Sequence, residues 1–244
     1  FFSSGALATG SFSAGRGNRL SATARVEEHR SARNVVSSDP ESSDFRPVLP
    51  IQEGSWASLQ LLSTFQTSFP GLTLDAGGLF GRLEDRTFGS LSAGLKLHRR
   101  WLHRGFDLRV DLQGHSLLGD PPVQAGYFLG GRLTVPGYSF RSRIGDRYWL
   151  FRSETSLVLF HPYIRLRAFT AAAGIRLTSF NGSENPSTQW ALPQTEGGSS
   201  HLLSAGLGLG LGWDVLRLDV ARGFREGGKW ELILWVNPDF WSWL

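Results

Sequence analysis

Apolar and polar residues alternate with a period of two from one end of this 244-residue chain to the other. Between Phe106 and Leu112 the apolar set is Phe106, Leu108, Val110 and Leu112, interleaved with Asp107, Arg109 and Asp111. Leu216, Leu218 and Val220 alternate with Arg217, Asp219 and Ala221, and Trp230, Leu232, Leu234 and Val236 with Glu231, Ile233 and Trp235. From Leu203 to Trp213 every second residue is Ser204 or a glycine, at 206, 208, 210 and 212. A strand sends successive side chains to opposite faces, so this pattern gives each strand one apolar face. Helical spacing would scatter Arg217 and Asp219 over different faces. The alternation predicts about eleven strands, over 3–14, 19–32, 55–66, 72–83, 88–98, 106–118, 147–160, 164–178, 201–213, 215–223 and 229–240.

The connections fall into two classes. Those near 15–18, 67–71, 99–105, 161–163 and 213–215 are short, whereas 33–54, 119–146 and 179–200 are long and rich in Gly, Pro, Ser and Asn. If strands run up and down, all three long ones share a rim with the shorter links near 84–87 and 223–228. Short turns at one rim and long loops at the other is the pattern of an antiparallel transmembrane β-barrel of the bacterial outer membrane. A soluble barrel or sandwich would show the same alternation turned inside out. Aromatics near strand ends (Trp213, Trp230, Phe106, Trp149) and the small residues of the opposite faces favour the membrane form. Eleven is odd, and single-chain bacterial barrels close on even counts. Either a twelfth strand is missed or the chain, which opens on Phe1 in a strand-like segment, lacks its first strands. A sixteen-stranded parent lies within the range of such barrels.

Composition excludes other classes. Hydrophobic residues make up 41% and the mean hydropathy is −0.15, ordinary for a soluble protein. No run approaches the ~18 apolar residues of a spanning helix, but a barrel strand needs apolar residues only at alternate positions. The chain lacks cysteine, so it has no disulfide and no thiolate metal site. The net charge is +4, yet the basic residues are scattered. The one dense cluster, His98 to Arg104, reads as a solvated turn, and no nucleic-acid partner is expected. Histidines 29, 98, 103, 115, 161 and 201 lack metal-ligand spacing. No Gly-x-Ser-x-Gly elbow is present, and the glycines of 206–212 fall on one strand face rather than at a phosphate-binding turn. No catalysis, cofactor or metal is expected.

The most distinctive segment is 130–157, GGRLTVPGYSFRSRIGDRYWLFRSETSL. Gly130-Gly131 precedes a tip of Val135-Pro136-Gly137-Tyr138; Gly145-Asp146 and a strand carrying Ser153 and Glu154 follow. A connection of about 28 residues without structure of its own is uncommon unless it is functional. These positions, with 206–224, resemble the BamA-type surface-antigen family of bacterial outer-membrane barrels that insert or export proteins. The resemblance is strong over 125–240, within one barrel domain spanning 1–244. It implies a loop folded into the lumen; with Tyr138 packed against the wall there, the Glu154 carboxylate needs a partner in a crowded space, from Arg141 or Arg143 of the loop or Arg165 of the adjacent strand. Two positions depart from the family pattern. The tip arginine is replaced by Pro136, and the lumen aspartate of the next strand falls at Ala172.

The resemblance implies outer-membrane protein insertion or polypeptide translocation. The partners would be outer-membrane lipid, unfolded outer-membrane protein clients or a secreted partner, and accessory periplasmic domains or subunits. The alternative is a passive barrel anchoring a partner or a preceding N-terminal, lipase-like domain. A small-solute pore would suffer from the plugged lumen.

Overall fold

The alternating segments pair in the order in which they occur. The computed structural model describes residues 2–15, 17–30, 51–101, 105–161, 163–178, 199–212 and 215–236. Its long strands are β1 (Phe2–Ala14), β2 (Asn18–Arg30), β3 (Gly54–Gln66), β4 (Leu72–Leu83), β5 (Arg86–Trp101) and β6 (Phe106–Gly119), then β9 (Arg147–Phe160), β10 (Ile164–Arg176), β11 (Ser199–Leu211), β12 (Leu216–Gly223) and β13 (Trp230–Val236). Between β6 and β9 lie two short strands, β7 (Tyr127–Leu129) and β8 (Arg143–Gly145). The eleven long strands form one antiparallel sheet, β1-β2-β3-β4-β5-β6-β9-β10-β11-β12-β13. The chain is all-β.

Antiparallel pairing of consecutive strands puts the strand ends flanking 31–53, 120–146 and 177–198 at one rim. The strand ends flanking 15–17, 67–71, 102–105, 161–163 and 212–215 lie at the other. Residues 31–50 and 179–198 themselves, and Trp213, lie outside the described residues.

Cross-strand register carries one facing through the sheet. Leu232 opposes Val220, which opposes Leu207, then Ala168, Thr155 and Leu108 in turn. This face is exposed and apolar: Leu207 is 63% exposed, Leu232 70% and Leu234 62%. Leu216, Leu218 and Val220 point the same way, with Trp149, Trp230 and Phe106. Arg165, Arg167, Arg217 and Asp219 point to the opposite, concave side. A water-soluble barrel would face the other way.

Two expectations need correction here. The basic cluster is not a solvated turn over its first half, because β5 runs on to Trp101. His98 and Arg100 both turn inward onto Asp107, at 3.0 and 3.2 Å; residues 102–104 lie outside the described residues. Ala172 lies on the outward face, in line with Gly174, where a side chain would meet the ring of Trp149. The inner-face neighbours are Ala171 and Ala173, so the position matched to a lumen aspartate is out of phase by one residue.

Candidate functional site: a loop locked to the inner wall

The β6–β9 connection has structure of its own, contrary to expectation. Tyr127–Leu129 pairs with Arg143–Gly145 as a two-stranded ribbon, and Gly131 bridges Val135 at the turn beyond it. The ribbon is tied to the wall at both ends. Tyr127 packs edge-on against Tyr148, which stacks on His115. Burial raises the Tyr127 hydroxyl above its ordinary pKa, so this contact is made by a neutral phenol. Gly145 packs so closely on the end of β10 that a Cβ would strike the Arg176 carbonyl. Asp146 then turns back to accept hydrogen bonds from the Thr178 backbone and hydroxyl, which ends β10 two residues short of the expected boundary.

The tip is deeply buried. Val135 is 0% exposed and Tyr138 1%, and both join Leu129, Leu150, Ala171, Ala173, Ile175 and Leu202 in an apolar cluster inside the sheet's curve. The Tyr138 hydroxyl donates to the Leu203 carbonyl at 3.1 Å and accepts from the Leu203 and Arg225 amides at 3.3 and 2.9 Å. One donor and two acceptor sites are all a phenol has, so the group is saturated. Gly137 has a φ of +83°, and a Cβ there would collide with the Gly223 amide. Only glycine allows both the left-handed turn and this approach. Its amide donates to Glu231 Oε2 at 2.6 Å and its carbonyl accepts from the Lys229 amide at 2.8 Å. The tip is thereby bonded to the final described strand.

Glu154 projects to the same inner side, but its partner is not a loop arginine. Arg141 lies over the rings of Phe128 and Phe140, and Arg143 donates to Ser200 Oγ at 3.2 Å. Arg165, on the adjacent strand, is one inward position off. The partner is Arg167, whose Nη2 lies 2.6 Å from Glu154 Oε2 while Nη1 reaches both carboxylate oxygens of Asp219, at 2.8 and 3.0 Å. Arg167 is on β10 and Asp219 on β12, so the pair crosses β11. Gly208 opposes both residues, and a Cβ there would land on the Asp219 carboxylate. The glycine stripe of β11 makes room for an ion pair to pass over it. The signal was in the sequence: Arg167, Gly208 and Asp219 all fall on inward positions of neighbouring strands.

Below the tip lies a cavity of about 640 Å³. Its wall combines Lys96, Arg109, Arg152 and Arg217 with Asp111, Glu154 and Asp219, and Arg132, Leu133, Thr134 and Pro136 of the loop form one side. Arg152 ties loop to wall, donating to the Leu133 carbonyl at 2.7 Å and to Asp111. The loop forms part of the chamber's wall, so movement of the loop would change its depth.

The ordered sheet, its sidedness and the inward loop between β6 and β9 invite comparison with solved barrels. The chain resembles CdiB from Acinetobacter baumannii. The TM-score is 0.64 at 16% identity, over 95% of this chain and 41% of that one. At this identity the likeness is one of fold, and this chain spans less than half of CdiB's length. No protein-family model matches the sequence, and no curated protein does.

Proposed function

We propose that the chain is barrel from a bacterial outer-membrane protein of the BamA-type surface-antigen family, acting on polypeptides that are inserted into or moved across that membrane. The outward face supports the membrane location. Soluble monomers rarely expose contiguous apolar patches beyond a few hundred Å², whereas here rows of leucine run side by side over β10 to β13. Lipid is the solvent that suits them, and a barrel with paired backbone is one of two folds that lipid admits.

The observation that carries the functional reading is the inward-folded loop. Its Val135-Pro136-Gly137-Tyr138 tip, at the position of the family motif, is bonded to β11 through Tyr138 and to β13 through Gly137. The mixed-charge chamber beneath suits passage of an extended chain once the loop moves. Reconstituted in vesicles, the chain is expected to speed the folding of an urea-unfolded β-barrel client, or to admit a secreted polypeptide to the vesicle interior, relative to empty vesicles. A second reading is a passive anchor. It draws on Pro136 in place of the tip arginine and on Glu154, which Arg167 already neutralises. No effect in either assay, from a chain whose loop resists protease, would favour the anchor.

A further inference from the structure

The charges on the outward face are distributed unevenly. Register puts Arg30, Arg82, Arg147, Arg176 and Arg222 on the outward side of β2, β4, β9, β10 and β12, each within two residues of the long-loop end of its strand. The opposite rim has Arg99 alone among the outward strand residues described. The one outward strand carboxylate described is Glu28, which pairs with Arg30 at 3.0 Å. Arg147 and Arg176 are the sharpest case. They are direct cross-strand partners, and the next residues along that row are Ser116 on β6 and Ser199 on β11. Like charges placed directly opposite repel. Asp146, the nearest carboxylate in sequence, is turned inward to Thr178. Both arginines are exposed, and the apolar belt begins just below them, with Trp149 two residues along on the same face.

We propose that Arg147 and Arg176, with Arg82 and Arg222 along the same rim, bind the phosphate groups of anionic lipids in the leaflet at the long-loop side. The inference rests on the lipid-facing reading above. Phosphate matches the planar guanidinium fork, and all the outward cations of these strands are arginine. A lipid headgroup, unlike a soluble polyanion, would sit at the height where these arginines cap an apolar belt. Its negative charge removes the repulsion between the pair.

The test places the full chain in vesicles and measures quenching of tryptophan fluorescence by phosphatidylcholine or phosphatidylglycerol brominated on the acyl chains. The native chain is expected to prefer the anionic lipid. Arg147→Ser or Arg176→Ser alone should each lose about fivefold of that preference, and the pair about thirtyfold, from roughly 1 kcal/mol per arginine near a charged surface. The lysine pair should retain part of it, and Arg99→Ser at the other rim should retain all of it. If the serine pair fails to insert, the single variants carry the comparison. Equal preference in native and variant chains overturns the proposal, as does loss of the native preference on adding free inorganic phosphate at the concentration of the anionic lipid. Absence of quenching by either brominated lipid would instead overturn the membrane reading.

Discussion

Arg167 serves two carboxylates at once, and its side chain is only 6% exposed. Removing it leaves Glu154 and Asp219 facing each other in a confined space. Breaking a buried ion pair from one side typically costs about 3–5 kcal/mol, so Arg167→Met is expected to lower stability by about that much in detergent unfolding. A loss under about 1 kcal/mol would mean that water reaches the pair freely. Tyr138 acts differently, because its partners are backbone groups of β11 and the β12–β13 link. Tyr138→Phe leaves two part-buried amides without their acceptor, at about 1 kcal/mol. The expected sign is faster proteolysis between Gly131 and Arg143, with the strands intact. Glu154→Ala, by contrast, should leave the loop as protected as before, since the carboxylate bonds to the wall and not to the loop. Accelerated cleavage in that variant would show a coupling between wall and loop that the bonding pattern lacks.

At the level of the strand, alternation gives each strand one apolar face, and register with exposure puts that face outward. Leu218 sits in β12 between Leu209 and Leu234 on the outward side. Replacing it by Arg should cost about 2–4 kcal/mol near the midplane of a bilayer and much less near a rim; unchanged unfolding in lipid would contradict an outward leucine row. The eleven long strands were legible to within a few residues because a period of two leaves little freedom wherever one face is apolar. β5 escaped only in its last turn-like residues, because the polar cluster at His98 and Arg100 looks like a turn until Asp107, nine residues from His98, is known to lie beside them. β7 and β8 escaped too, since three-residue strands carry no period to detect. The loop tip was legible from its glycines and tyrosine. The partner of Glu154 was not, because Arg165 and Arg167 both face inward and only stagger between strands chooses one. Ala172 was misplaced by a single residue, which in a strand reverses the face.

Across the whole molecule, sidedness is the property most open to direct measurement. The chain has no cysteine, so single ones report cleanly. Asp120→Cys, at the start of the β6–β9 link, and Ser68→Cys, in the β3–β4 turn, should react with a membrane-impermeant maleimide from opposite sides of a vesicle; labelling from one side would end this topology. The same integration appears within the sheet. Side-chain bonds such as Lys96–Asp75 and Arg152–Asp111 join strands that are already ladder neighbours, and a sheet held in that way can be dismantled one hairpin at a time. The staple over Gly208 changes that for the last four strands, because β12 is fastened to β10 as well as to β11. Pulled from its C-terminal end on a cantilever, the chain should therefore yield β10 through β13 as one rupture event of high force. Asp219→Asn should split that event into two weaker ones, giving the four strands the piecemeal response of an ordinary ribbon.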